Sequence, residues 1–134
     1  MSDLELMKLA EEARTKAYAP YSGFSVGAAL LTKSGRGYTG CNIENAAYSP
    51  TNCAERTAFF KAVSEGEREF LAIAIVGGKG EEIQELCAPC GVCRQVMAEF
   101  CNADFRILLG SAKKISVYSL DALLPLSFGK QNLE

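Results

Sequence analysis

The chain contains no histidine. That absence removes Ser-His-Asp and Cys-His catalysis within one subunit, and any zinc site must be built from thiolates and carboxylates. Proton transfer near neutral pH then falls mainly to a carboxylate, Cys, Lys or Tyr. Long apolar runs are missing too. The most apolar stretch, Phe70 to Val76, falls far short of the roughly 20 residues that cross a bilayer. No excess of basic charge exists: 14 basic residues face 16 acidic ones, a net charge of -2. Tight binding to a nucleic-acid backbone is therefore not favoured. Met1 to Lys8 carries acids early and lacks the apolar core of a signal peptide. These absences predict a soluble, cytoplasmic protein without membrane or nucleic-acid partners. There is no internal repeat, low-complexity tract or linker, so the 134 residues are expected to form one domain, 1–134, large enough to bury its own core.

Of what is present, the six cysteines at 41, 53, 87, 90, 93 and 101 stand out. Nothing marks the chain as secreted, so clustered cysteines read as metal ligands or catalytic groups before disulfides. Ser2-Asp3-Leu4-Glu5 reads as a capping box opening a helix that runs to about Tyr18. Pro20 and Gly23 break it. Val26–Thr32 and Tyr38–Cys41 read as strands joined by a hairpin-like turn, and Asn42 to Asn52 as a loop. Cys53–Ser64 is a predicted helix, Phe70–Val76 a buried strand, Gly77 to Leu86 a loop. A second central helix is predicted over about 91–100, then strands at Phe105–Leu109 and Lys114–Val117. Asp121 is the expected cap of a last helical turn through Leu124. Strands alternating with helices predict a layered α/β domain.

Cys90-Gly91-Val92-Cys93 lies at a predicted loop-to-helix junction, a spacing that lets two sulfurs converge on one tetrahedral ion. Cys53 starts the other central helix. Helix N-termini favour thiolates, because unpaired N–H groups and the helix dipole stabilise negative charge. Three thiolates would hold one zinc and leave a fourth position open for water, as catalytic rather than structural sites do. Glu55 follows Cys53 by two residues, where a carboxylate can sit beside that water without binding the metal. It could take the water's proton and hand it to a ring nitrogen and then to a leaving amine. Three thiolates around Zn²⁺ carry a formal charge of -1, which a guanidinium at Arg56 would offset; Gln95 could brace the same shell.

Blander readings stand beside these. A C-x-x-C alone fits structural zinc or a redox pair equally well. Cys87-x-x-Cys90-x-x-Cys93 resembles part of an iron–sulfur ligand run, but Cys101 lies beyond the expected closing position. Cys41, Cys87 and Cys101 read as small buried hydrophobes. Phe24 alone would be a core aromatic, Glu44 a solvated charge, Asn42 and Asn45 turn formers.

The pairing of Ala54-Glu55 with Pro89-Cys90-x-x-Cys93 resembles the zinc nucleobase and nucleoside deaminase signature. Ala19-Pro20-Tyr21-Ser22-Gly23-Phe24, Asn42-Ile43-Glu44-Asn45-Ala46-Ala47-Tyr48 and Leu123-Leu124-Pro125-Leu126-Ser127-Phe128 resemble the small homotetrameric cytidine deaminases, in the right order over nearly the whole chain. The resemblance implies a three-layer α-β-α domain around a mixed five-stranded sheet. It implies one zinc per subunit on Cys53, Cys90 and Cys93, with Glu55 as proton shuttle in the deamination of cytidine and deoxycytidine. Asn42 and Glu44 would bind ribose hydroxyls, Phe24 would stack near the base, and backbone at Ala54 would read the base edge. Asn45, Ala46 and Tyr48 would lie at or near the sugar, and Phe128 would close a neighbour's pocket in a tetramer. Three rival readings are a zinc-stapled scaffold, a nucleic-acid deaminase and an antibiotic deaminase of the blasticidin type. The missing basic channel argues against the second and the Asn42/Glu44 pair against the third.

Overall fold

A computed structural model describes all residues from Met1 to Glu134. Helix α1 (Asp3–Arg14) opens with the predicted capping box: Glu5 N donates to Ser2 Oγ and Ser2 N to the Glu5 carboxylate, both at 3.1 Å. Its buried residues, Leu6, Met7, Ala10 and Ala13, form one helical stripe. Strands β1 (Phe24–Thr32) and β2 (Gly37–Cys41) form an antiparallel hairpin. Gly35 supplies the positive φ of its turn, +94°. Then follow α2 (Ala54–Ser64), β3 (Phe70–Lys79), α3 (Gly91–Phe100), β4 (Arg106–Ser111), β5 (Lys114–Ser119) and the short α4 (Leu120–Leu123).

The five strands form one mixed sheet in the order β2-β1-β3-β4-β5, antiparallel except for the β3–β4 pair. Central β3 shows why its sequence is apolar throughout: both faces are covered. Ala72, Ala74 and Val76 pack with Leu6, Met7 and Ala10 of α1. The intervening Ile73 and Ile75 pack with Phe59 of α2 and Met97 of α3. Each fully buried large side chain in this second cluster contributes about 1.5–3 kcal/mol. This is the three-layer α-β-α arrangement.

Two glycines set the spacing of the layers. A Cβ at Gly27 would lie 2.8 Å from Arg14 Cα, and one at Gly40 would lie 2.6 Å from Ala58 N. Both helices therefore rest on the sheet backbone to backbone. Strands β2, β3 and β4 run in one direction and β1 opposes them. The ends of β2 and β3, the start of β1, and the helices entered from β2 and β3 thus meet at one edge of the sheet. Helix α2 follows β2, and α3 follows β3, so their N-termini converge there.

Three expectations shift. Helix α1 stops at Arg14 rather than Tyr18, because Tyr18 is drawn into a bridge with Ile43: Tyr18 N donates to Asn42 O (3.0 Å) and Glu44 N to Tyr18 O (2.8 Å). Strand β3 runs past Val76 to Lys79, with Gly77 and Gly78 opposite Val26 and Ser25. The cap of α4 is Ser119, whose Oγ accepts from Ala122 N at 3.1 Å, and not Asp121, which sits in the first turn.

Candidate active site

Cys53 and Cys90 are the N-cap residues of α2 and α3, in extended backbone conformation, and neither thiol caps its helix by a hydrogen bond. With Cys93 one turn into α3, their three Sγ atoms lie within 4.8 Å of one another. Cys53 and Cys90 Sγ are 3.8 Å apart. Two sulfurs each about 2.3 Å from a tetrahedral ion stand about 3.8 Å apart, so the spacing fits zinc. All six cysteines are free thiols. Cys87 does not join the triad and Cys101 lies elsewhere, which removes the iron–sulfur geometry.

Arg56, one turn after Cys53, donates from Nη2 to Cys53 Sγ at 3.2 Å. The neighbouring Cys93 thiol is the first cause holding Cys53 down to about 5, and Arg56 adds to it against the cost of burial. Cys93 is pushed far up, by its contact with Cys53 and then by burial. The buried Arg56 Nε has no partner. A guanidinium turned on sulfur is the expected companion of an ion-binding thiolate cluster with excess negative charge.

Glu55 points inward from the first turn of α2 and is only 4% exposed. Its carboxyl is raised to about 7, chiefly by burial and then by the Cys53 charge, against the opposing pull of its own backbone amide and Arg56. A carboxyl balanced between its two forms near neutrality suits proton transfer.

A pocket of about 290 Å³ opens beside this group, and its lining includes Phe24, Val26, Asn42, Glu44, Ala54 and Glu55. Asn42 clips its wall: Oδ1 accepts from Val26 N and Nδ2 donates to Phe24 O, both at 2.8 Å. Glu44 accepts from Tyr21 N (2.9 Å), Ser22 N (3.1 Å) and the Ser22 hydroxyl. The hydroxyl is the main reason its pKa is lowered. Glu44 therefore presents an ionised carboxylate at the pocket mouth.

Other predicted residues lie apart. Asn45 forms a local turn, accepting from Ala47 N at 2.9 Å. Ala46, Tyr48 and Phe128 are exposed and do not line the pocket within one protomer. Tyr48 has a φ of +62° and stands edge-on to Tyr21 with ring centroids 6.3 Å apart. Gln95, expected near the sulfurs, instead donates from Nε2 to Phe128 O at 2.9 Å and ties down the tail. Sequence reasoning missed Ser22, Val26, Thr51, Asn52, Cys87 and Ala88 as pocket residues. Val26 was signalled by period-2 alternation from Phe24; Cys87 was signalled by its place three residues before Cys90, although it reads in isolation as a small buried hydrophobe.

Three thiols on two helix starts with a buried carboxyl two residues after the first are the donor set and proton carrier that a mononuclear hydrolytic zinc centre would use. Comparisons with known proteins narrow that class. The profile of the cytidine and deoxycytidylate deaminase zinc-binding region matches residues 1–109. A cytidine deaminase from Sporosarcina psychrophila is 52% identical over 130 residues, 96% of this chain and 93% of that one. The crystal structure of a cytidine deaminase from Burkholderia pseudomallei superposes with a TM-score of 0.88 at 48% identity, covering 96% of this chain and 100% of that one. A blasticidin-S deaminase from Bacillus cereus is 31% identical over 130 residues, 94% of this chain and 91% of that one. The chain belongs to the cytidine and deoxycytidylate deaminase family.

Proposed function

We propose that the protein catalyses zinc-dependent hydrolytic deamination of cytidine and deoxycytidine to uridine and deoxyuridine, with release of ammonia. The observation that carries this reading is the sulfur triad with buried Glu55 at the end of a nucleoside-sized pocket. Cys53, Cys90 and Cys93 would hold the ion, one per subunit. When bound there, zinc supplies Lewis acidity that brings the pKa of a coordinated water to about 7. Glu55 accepts a proton, delivers it to the ring nitrogen beside the reacting carbon, and carries a second to the departing amine. Arg56 offsets the negative charge of the sulfurs. Phe24 stacks on the base, and backbone at Ala54 reads its edge. Glu44 and Asn42 bind the sugar hydroxyls; Glu44 can exchange its Ser22 contact for a hydroxyl of the substrate.

Residues 1–134 act as a single catalytic domain. Asn45, Ala46, Tyr48 and Phe128 serve a neighbour's pocket in a homotetramer, a role supported by the 72% and 61% exposure of Tyr48 and Phe128. Gln95 then acts by holding the tail rather than the metal. No helix is long and apolar enough to cross a membrane; with the near-neutral net charge, this supports a cytoplasmic enzyme acting on a free nucleoside.

The test is the loss of cytidine absorbance together with the zinc-to-subunit ratio. Turnover with one zinc per subunit is expected. Glu55→Gln should keep the zinc and lose about 10²–10⁴-fold in turnover. A zinc-loaded wild-type protein inert toward both nucleosides refutes the reading, and preference for blasticidin S would move the substrate to the antibiotic class.

A further inference from the structure

Three side chains converge on the missing Cβ of Gly77 in β3. A carbon built there would lie 2.5 Å from Cys87 Sγ, 3.1 Å from Val26 Cγ2 and 3.2 Å from Phe24 Cε1. The same three side chains line the 290 Å³ pocket. Gly77 is thus a notch in the sheet, and the Cys87 thiol is seated in it. The same lining includes Cys53, Glu55 and Cys90, with Ala54 and Ala88 near them in sequence. These two cysteines belong to the sulfur triad and Glu55 carries protons. Cys87, three residues before Cys90, is the lining cysteine to which the chemistry gives no task. It is a half-buried free thiol outside the triad. Burial first, and the Glu55 charge second, push it up to about 11. It therefore faces the pocket as a neutral, soft, nearly apolar group.

We propose that Cys87, seated in the Gly77 notch, is the specificity-determining wall for the substituent on the ring carbon next to the reacting one. The inference rests on the deaminase reading above. The carbon that loses its amine has two ring neighbours. One is the nitrogen that Glu55 serves. The other is C5, the position beside it that can carry a variable group. With the reacting carbon delivered to the metal end, the Cys87 thiol is the side chain that meets that group. A thiol sunk in a glycine notch keeps the wall low. The ligand class is then pyrimidine nucleosides bearing hydrogen or a small C5 group such as methyl, and a bulkier residue at 87 narrows it.

The experiment compares kcat/KM for 5-methylcytidine and for cytidine, as a ratio, in zinc-loaded wild-type, Cys87→Ile and Cys87→Ala proteins. Each variant's own cytidine value serves as its reference, so a general loss of stability cancels. One methyl group of pocket room carries about 10-fold or more in discrimination. Cys87→Ile should lower the ratio by about that factor. Cys87→Ala, which only removes an atom and tests the wall even if the isoleucine variant fails to fold, should raise it several-fold. Ratios within about twofold of wild type, from an enzyme that does turn over cytidine, overturn the proposal and leave the deaminase reading intact. A wild-type protein inert on both nucleosides overturns the two together.

Discussion

Replacing Glu55 by glutamine should make the metal-free protein more stable while destroying its activity. The carboxyl sits 4% exposed behind α2, and burial lifts it from 4.5 to about 7. A group whose folded pKa lies above its unfolded value favours the fold below the unfolded pKa and loses that advantage as pH rises through the folded one. The window here runs from about pH 4.5 to about 7. A rise of about 2.5 units at 1.36 kcal/mol per unit makes ionised Glu55 a burden of about 3 kcal/mol above pH 7. Most of it accrues between pH 5 and pH 8. Glutamine keeps the shape and carries no charge. Urea unfolding of chelator-treated, reduced wild type and Glu55→Gln at a series of pH values reads the group together with its coupling to the neighbouring Cys53, Cys87 and Cys93 thiols. The two stabilities should nearly meet at pH 5 and diverge by about 2–3 kcal/mol at pH 8, with the variant the more stable. Parallel curves across this range would show that Glu55 is not held in a charge-averse site, and the proton-carrier argument would lose its physical basis.

Arg56→Gln removes the guanidinium 3.2 Å from Cys53 Sγ and should weaken zinc binding about 10–100-fold in chelator competition; unchanged affinity would refute its role beside the sulfurs. Gly40→Ala places a methyl against the start of α2, 2.6 Å from Ala58 N. The helix must lift, so a loss of about 1–3 kcal/mol by urea unfolding and weaker zinc retention are expected, since Cys53 begins that helix; a neutral result would mean the layers are looser than described. Arg14 grips two strand ends and the turn after β3, donating to Ser25 O, Gly78 O and Gly80 O at 2.8 Å and to Glu82 O at 3.2 Å. Arg14→Met should cost about 2 kcal/mol and speed proteolysis of residues 79–86; protection equal to wild type would refute the clamp.

The layers were readable because their signals were local. A Ser-x-x-Glu capping box opens α1, and the unbroken Ala/Ile run of β3 reports burial on both faces. The metal residues were readable for the same reason, as spacings at helix starts. What was not readable depended on distant partners. Gly77-Gly78 looks like a breaker, yet β1 pairs with it, and Gly78 has no side chain because the chain at Glu82 folds back upon it. Helix α1 ends early for the sake of a strand-like bridge to Ile43, 25 residues on. Gln95 lies next in sequence to the metal turn but on a face of α3 turned to the tail. Cys87 stands close to Cys90 in sequence, but its seat against Gly77, Val26 and Phe24 exists only once β1 and β3 pair. Sequence spacing therefore located the sulfur triad, whereas the shape of the pocket emerged only from strand pairing.

Both helices that carry the sulfurs begin on a cysteine in place of an ordinary cap, and those two cysteines are 37 positions apart. An ion seated between them is a cross-link, closing a loop that contains the whole of β3 and restraining the unfolded chain as a covalent bridge would. Unlike a disulfide, it persists under reducing conditions. Zinc bound there would add stability that a chelator, and not a reductant, removes.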